Sequence, residues 1–136
     1  MPVVDASVVV DWVSPARTEA SPAVLRLKQL RAQRADLVAP QLLRLEVGNV
    51  LLTGVRRRGW SGTAADRSFA ALTSLPIRLV AEDRDIDRAW DLARRYDNHA
   101  IYDMLYVALA ERMRTVLITS DRALRDRLRL PWVVEP

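Results

Sequence analysis

The sequence contains no cysteine, and this absence excludes both a disulfide framework and a metal site built from thiolates. A cysteine-free chain suits a reducing compartment, so we expect a cytoplasmic protein. No stretch approaches the roughly 20 consecutive apolar residues that a membrane span requires. The N-terminus has an acid, Asp5, within its first apolar run and no basic segment ahead of a long apolar one, so no export signal is indicated.

Lysine and glycine are also scarce. Lys28 is the only lysine, so arginine carries almost all of the positive charge of a chain with net charge +4 and a pI of about 10.3. A basic chain suits a polyanionic partner, although scattered arginines are more often simply a solvated surface. The four glycines form no phosphate-binding loop pattern, which argues against a nucleotide-binding α/β module.

The remaining composition is that of an ordinary folded domain. Half of the 136 residues are hydrophobic and 28% are charged, which is too apolar for a disordered chain. A chain of this length usually builds one hydrophobic core. No internal repeat, low-complexity tract or long linker divides the chain, so we predict a single domain over residues 1–136.

Apolar runs with strand periodicity alternate with runs of helical periodicity, which is typical of an α/β fold with a mainly parallel sheet. Strands are predicted at 3–4, 37–39, 77–80, 116–118 and 132–134. Helices are predicted at 7–13, 22–33, 41–58, from Ser61 or Thr63 to 75, through Ile86, Ala89, Trp90 and Ala93 on one face, and at 101–112 and 121–127. The expected architecture is a three-layer α/β/α sandwich.

Glu46 stands out in the predicted helix 41–58. It falls on the inward face that is defined, at helical spacing, by Leu42, Leu43, Val47, Val50, Leu51 and Gly54. A buried carboxylate costs several kcal/mol, in order-of-magnitude terms, unless it is paired or bound to a cation. No basic residue lies one turn away on that face. A distant arginine remains an alternative partner for Glu46.

Asp103 presents a similar conflict in the predicted helix 101–112, which is apolar on almost every side and should be largely buried. The helix dipole favours an acid in the first turn by about 0.3 to 1 kcal/mol, so a dipole partner is one interpretation. That stabilisation is too small to offset full burial. Asp103 is therefore a second candidate for contact with a cation.

Asp5 and Asp121 each follow a predicted strand. Ligands of open parallel sheets bind outside the carboxyl ends of the strands, where the direction of the connections reverses. The two acids meet there if the strands at 3–4 and 116–118 are neighbours. Taken alone, Asp5 also fits a turn residue, and Asp121 equally fits the N-cap of the helix that follows it.

Four acids that come together repel one another and stay ionised near neutral pH only if a positive charge joins them. With no cysteine and a single histidine, the donors are all oxygen, which suits Mg²⁺ or Mn²⁺ and not Zn²⁺. One or two such ions can bind a phosphate oxygen and lower the pKa of a bound water. The residues thus indicate metal-dependent phosphodiester hydrolysis.

Four segments resemble the PIN domain, and more narrowly the VapC-type ribonuclease toxins of bacterial toxin-antitoxin pairs. The segments are Val3-Val4-Asp5-Ala6-Ser7-Val8, Leu45-Glu46-Val47, Tyr102-Asp103-Met104-Leu105-Tyr106-Val107-Ala108-Leu109-Ala110 and Leu117-Ile118-Thr119-Ser120-Asp121. Together they span nearly the whole chain, and the order of the four acids is fairly specific. Ser120 stands where the family often has a small apolar residue.

This resemblance implies an endoribonuclease that depends on Mg²⁺ or Mn²⁺ and acts as the toxin of a type II system. It implies that Asp5 and Asp103 are the most direct metal ligands and that Glu46 and Asp121 complete the acidic site. It also implies that the hydroxyls of Ser7 and Thr119 orient carboxylates or waters. Both hydroxyls fit turn or cap roles as well.

The resemblance further implies RNA as substrate, an antitoxin partner that covers the active site, a homodimer, and a heterotetramer or larger complex with the antitoxin. Trp12 and Trp60 are candidates for a partner groove, although core packing explains such residues more often. Arginines at 56–58, 94–95 and 122, 125 and 127 suit an RNA backbone, and solvated helix ends explain them equally well. His99, near Asp103, is a minor candidate for a general base.

Other enzyme classes fit less well. A haloacid-dehalogenase-type phosphatase needs a second acid two residues after Asp5, where this chain has Ser7, and a receiver domain needs a late lysine. The main alternative is a non-catalytic PIN-like module that binds RNA or a protein. Loss of RNA cleavage on Asp5→Ala or Asp103→Ala distinguishes the enzyme from that module.

Overall fold

Five strands form one sheet in the computed structural model, which describes residues 1–136. The strands are β1 (Val3–Val4), β2 (Leu37–Pro40), β3 (Ile77–Val80), β4 (Leu117–Ile118) and β5 (Val133–Val134). All neighbouring strands are parallel, in the order β3-β2-β1-β4-β5. The predicted parallel sheet is confirmed.

Seven helices connect and flank these strands. They are α1 (Ala6–Val13), α2 (Pro22–Ala32), α3 (Leu43–Arg57), α4 (Gly62–Thr73), α5 (Asp83–Arg95), α6 (Ile101–Met113) and α7 (Arg122–Leu128). Ser21 and Ser61 begin α2 and α4 as N-caps, since their hydroxyls accept hydrogen bonds from the amides of Val24 and Ala64. Most predicted boundaries differ from these by one or two residues, as expected for helix ends.

Six of the seven helices fall into two groups around the sheet, and α7 contacts β5 at its edge. Helices α1 to α4 pack against one another, whereas α5 packs against α6, which lies on β1, β2 and β4. The apolar side chains of both groups join those of the strands in one core, and Val3 and Val4 of β1 are fully buried within it. This is the predicted α/β/α sandwich. None of the seven helices has the length and apolar character needed to cross a bilayer.

The predicted inward face of α5 is partly wrong. Ala89 and Ala93 are buried, but Ile86 is 48% exposed and Trp90 is 60% exposed. Asp85 occupies the buried face instead, because the Arg112 guanidinium of α6 donates two hydrogen bonds to its carboxylate, at 2.6 and 2.8 Å. The ion pair and the small alanine side chains together set the rotation of α5 against α6.

The central strand β1 lies between β2 and β4, so the chain connections reverse direction beside it. Val3 pairs with Leu117 and Val4 with Ile118. Asp5 and Thr119 therefore leave adjacent strands at the same edge of the sheet. This edge is where ligands of open parallel sheets bind.

Candidate active site

A cavity of about 360 Å³ opens at the carboxyl ends of β1 and β4. All four acids selected from the sequence line this cavity, together with one of the two hydroxyls. The lining residues are Asp5, Ala6, Ser7, Val10, Glu46, Asn49, Val50, Asp103 and Asp121. Segments that are distant in sequence thus contribute their carboxyl groups to one place.

Asp5 is the most rigidly held of the four acids. Its amide donates to the carbonyl of Ile118 in β4, at 3.0 Å, and only 7% of the residue is exposed. Its Oδ2 accepts hydrogen bonds from the hydroxyls of Ser7 and Thr119, both at 2.7 Å. The two hydroxyls selected from the sequence therefore both contact Asp5, and they fix the orientation of its carboxylate.

Asp121 is held by the loop that follows β4. Its Oδ1 accepts from the amide of Leu124, at 3.0 Å, so Asp121 caps α7, and its own amide donates to the hydroxyl of Thr119. The amide of Ser120 donates to the Ser7 hydroxyl, at 3.0 Å. The cap interpretation of Asp121 is thus correct, and the same residue also lines the cavity.

Glu46 lies in the first turn of α3 and is half-buried. Its Oε1 is buried without a hydrogen-bond partner, and so is the hydroxyl of Tyr106 in α6. Burial raises the pKa of Glu46, the nearby Tyr106 hydroxyl lowers it, and the charges of Asp5 and Asp103 raise it again; the net effect is a raised pKa. None of the ion pairs of the structure includes Glu46, so the interpretation that a distant arginine pairs with it is wrong.

Asp103 lies in the first turn of α6, as predicted. Its Oδ2 is 2.6 Å from Nε2 of His99, which precedes the helix. The carboxyl group makes no hydrogen bond to the helix amides, and Ala100 at the N-cap supplies no side-chain cap. Asp103 therefore lies where the helix dipole favours an acid, without capping the helix, and it lines the cavity while His99 contacts its Oδ2.

Asp5, like Glu46, lies in surroundings that disfavour its ionised form. Burial raises the pKa of Asp5, the hydroxyls of Thr119 and Ser7 lower it, and the charge of Asp103 raises it, with a raised value as the result. Desolvation and repulsion between like charges thus both act against ionisation. A cation among these groups would reverse that effect.

The donor chemistry of the site fits Mg²⁺ or Mn²⁺. Every titratable group that lines the cavity is a carboxyl group, and Oε1 of Glu46 is buried without a hydrogen-bond partner, so it is available to a cation that binds oxygen ligands. As the side chains are placed, no three of them are arranged to coordinate one ion together. One oxygen each of Asp5, Asp103 and Asp121 is instead held by a protein donor.

Sequence reasoning missed two members of the site, Asn49 and Tyr106, as well as the contact between His99 and Asp103. Asn49 follows Glu46 by three residues and Tyr106 follows Asp103 by three, so each shares a helix face with an acid. That spacing is the signal that would have identified them. The tryptophans Trp12 and Trp60 lie elsewhere: Trp12 is buried in the core, and Trp60 packs over Gly54.

The fold and this acidic cavity define a class of protein that comparison with known families identifies. The family model of the PIN domain matches residues 3–128. This match covers most of the chain and includes all four acids. The chain belongs to the PIN-domain family.

Individual relatives within this family are ribonucleases. The chain is 36% identical to Ribonuclease VapC1 of Mycobacterium tuberculosis, strain H37Rv, over 139 aligned positions that cover 98% of this chain and 95% of the relative. Ribonuclease VapC1 of strain CDC 1551 matches with the same identity and coverage. The resemblance to VapC-type ribonucleases is therefore confirmed.

Solved structures give the same fold. PAE2754 from Pyrobaculum aerophilum matches with a TM-score of 0.72 and 23% identity, covering 98% of this chain and 87% of the other. VapC20 of Mycobacterium tuberculosis, described as a sarcin-ricin loop cleaving toxin, matches with a TM-score of 0.68 and 20% identity over the full length of both chains. At these identities the two structures support the fold alone.

Proposed function

We propose that this chain is a metal-dependent endoribonuclease that hydrolyses phosphodiester bonds in RNA as the toxin of a type II toxin-antitoxin pair, and that residues 1–136 form one PIN domain. The observation that carries this proposal is the set of four carboxyl groups lining one cavity at the reversal point of the sheet. The identity with Ribonuclease VapC1 supports the ribonuclease activity.

Asp5, Glu46, Asp103 and Asp121 are the residues that would hold Mg²⁺ or Mn²⁺. When bound, such an ion supplies a Lewis acid and a water of lowered pKa for attack on phosphorus. The ion would also relieve the repulsion that raises the pKa values of Asp5 and Glu46. The chemistry of the site therefore requires no nucleophilic side chain.

The protein residues around the acids keep them in place. Ser7 and Thr119 hold Asp5, and the Thr119 hydroxyl also accepts from the amide of Asp121. Arg125 donates to the carbonyl of Thr119, at 2.7 Å, which fastens the same loop from the side of α7. This network fixes two of the four carboxyl groups relative to each other, as ligand orientation requires.

RNA cleavage by purified protein tests the proposed activity. We expect RNA cleavage with Mg²⁺ or Mn²⁺ that EDTA abolishes. Asp5→Asn and Asp103→Asn should each lower the cleavage rate by more than about 100-fold, which exceeds the usual effect of changing a residue that only orients a metal ligand. Asp36→Asn is a matched control, because Asp36 is exposed and precedes β2 at the opposite edge of the sheet. Growth arrest on expression, relieved by Asp5→Asn, would support the toxin role.

The alternative is a PIN-like module that binds RNA or protein without cutting. Wild-type protein, freed of any partner, that binds RNA but leaves it intact with Mg²⁺ and with Mn²⁺ would establish this alternative. Cleavage that disappears in Asp5→Asn would eliminate it.

The proposed partners are an antitoxin and a second copy of the chain, in a homodimer and in heterotetrameric or larger complexes with the antitoxin. A groove of about 560 Å³ between α3 and α4 supports an antitoxin partner, because the exposed apolar side chains of Leu45, Leu52 and Phe69 line it. Asn49 lines both this groove and the acidic cavity, so a peptide bound in the groove would reach the four acids. The exposed Ile86 and Trp90 of α5 support a second interface.

A further inference from the structure

His99 contacts an acid of the proposed metal site directly. Its Nε2 is 2.6 Å from Oδ2 of Asp103, and 18% of the His99 side chain is exposed. Because a carboxylate oxygen only accepts hydrogen bonds, the contact orders Asp103 when Nε2 carries a proton. Asp103 Oδ1 has no protein partner and remains on a residue that lines the cavity.

The backbone around His99 is shaped to make this contact. Asp97 and Asn98, which precede it, both have positive φ angles, 60° and 57°. Aspartate and asparagine tolerate this left-handed conformation better than other non-glycine residues, but it still carries a cost in free energy. This unfavourable backbone conformation places His99 beside Asp103 in the first turn of α6.

Several hydrogen bonds hold the turn in this conformation. The His99 amide donates to the carbonyl of Ala93 in α5, at 3.2 Å, and the guanidinium of Arg94 donates to the side chain of Asn98. Arg127 of α7 donates to the carbonyl of Tyr96, at 3.2 Å. The backbone of the turn that carries His99 is therefore attached to α5 and α7, and not to α6, which carries Asp103.

The pattern at Asp103 repeats the pattern at Asp5 and Asp121. In each residue a protein donor holds one carboxylate oxygen: Ser7 and Thr119 for Asp5, the Leu124 amide for Asp121 and His99 for Asp103. Donors that hold one oxygen of a ligand fix the direction of the other and typically strengthen metal binding. His99 is the only side-chain donor to Asp103.

We propose that His99 is a positioning residue that holds Asp103 Oδ2 so that Oδ1 faces the cation site. This inference rests on the proposed metal-dependent function and extends it to a residue outside the acidic set. It assigns no proton transfer to His99. A general base would also explain a histidine near the site, and the experiment separates the two roles.

The test compares His99→Gln with His99→Asn. The glutamine amide nitrogen reaches the position of Nε2 and keeps the donor, whereas the shorter asparagine reaches only the position of Nδ1. The readouts are the Mn²⁺ dissociation constant, from electron paramagnetic resonance of purified protein without RNA, the melting temperature in EDTA and RNA cleavage. His99→Ala provides a second variant without the donor if His99→Asn fails to fold.

We expect His99→Asn and His99→Ala to weaken Mn²⁺ binding by about 10- to 100-fold, and His99→Gln to retain both Mn²⁺ binding and cleavage. Equal Mn²⁺ affinity in all variants, or tighter binding without the imidazole, would overturn the proposal. So would His99→Gln that binds Mn²⁺ normally but does not cleave, because that result identifies a proton-transfer role. Wild-type protein that neither binds Mn²⁺ nor cleaves RNA overturns the metal-dependent function itself.

Discussion

At the scale of single residues, Asp5 and Glu46 are acids in surroundings that favour their protonated forms. Burial is the main cause in both, and the charge of Asp103 adds to it, so the pKa of each is raised in the folded protein. A raised pKa of an acid means that the native state holds its proton to a higher pH than the unfolded chain does. Folding stability therefore depends on pH through these two residues.

We expect Asp5→Asn combined with Glu46→Gln to stabilise the protein in EDTA, increasingly so as the pH rises. Above about pH 4, where these two acids ionise in the unfolded chain, they retain more protons in the native state than in the unfolded state, so their contribution to stability falls with rising pH. The double variant lacks this fall. The gain in unfolding free energy approaches about 1.4 kcal/mol for each pKa unit by which folding raises the two acids together. Urea denaturation of both proteins between about pH 4 and pH 8 in EDTA measures this gain.

Asp36→Asn is the control for this measurement, because the carboxyl group of Asp36 is exposed. We expect it to change the free energy of unfolding by less than about 0.5 kcal/mol at any pH. A stability difference between the double variant and the wild type that stays constant over this range would contradict the argument. It would mean that the two acids are as well solvated in the folded protein as in the unfolded chain.

Some features of the site could be predicted from the sequence and others could not. Helical periodicity alone placed Glu46 on an inward face, and its buried, unpartnered Oε1 agrees with that. The contact between His99 and Asp103 was not predictable in the same way, because the helix begins between them, at Ile101. Only the left-handed turn at Asp97 and Asn98 brings His99 over the helix, and the sequence pattern does not specify that turn.

At the scale of secondary-structure elements, two arginine-carboxylate pairs join α5 and α6 and differ in burial. Arg112 donates two hydrogen bonds to Asp85, which is 4% exposed. Arg88 donates two to Glu111, at 2.7 and 2.9 Å, but both of these side chains are about one third or more exposed. The same interaction thus occurs once inside the helix interface and once at its rim.

We expect Arg112→Met to destabilise the protein by about 3 to 5 kcal/mol, because it leaves the Asp85 carboxylate buried and unpaired. Arg88→Met should cost less than about 1 kcal/mol, since water solvates Glu111 in place of the guanidinium. Equilibrium unfolding in urea at neutral pH gives both values. Equal losses would refute the role assigned to burial.

A further variant separates the pair from the side chains themselves. Asp85→Leu combined with Arg112→Met removes both charges, so it should recover most of the stability that Arg112→Met alone loses. Lack of recovery would indicate that the guanidinium stabilises the interface through its packing. Both results bear on the packing of α5, the helix that leads into the turn before His99.

The elements themselves were largely predictable, and their mutual placement was not. Strand β3 begins and ends where the pattern indicated, because Pro76 precedes it and an apolar run defines it. The rotation of α5 was mispredicted, since periodicity counts Ile86 and Trp90 as buried and cannot anticipate an aspartate paired with Arg112. The adjacency of β1 and β4, on which Asp5 and Asp121 depend, is a long-range pairing that local sequence does not reveal.

At the scale of the whole molecule, an acidic cavity lies in a basic protein. The net charge is +4, although four carboxyl groups line the cavity. The excess positive charge of the chain therefore lies outside the cavity. Arg122 directly follows Asp121 and its side chain is 85% exposed, which makes it a candidate contact for an RNA phosphate beside the site.

We expect Arg122→Gln to weaken binding of single-stranded RNA similarly across sequences. It should also reduce the slope of log affinity against log salt by about 0.7, the value for one phosphate contact on a single strand. Fluorescence anisotropy in EDTA, where the proposed cleavage does not occur, measures both effects. Arg31→Gln is the control of equal charge, because Arg31 is exposed in the last turn of α2, away from the cavity. An equal change of slope in both variants would assign RNA binding to net charge, whereas a change in Arg122→Gln alone assigns it to the rim of the acidic site.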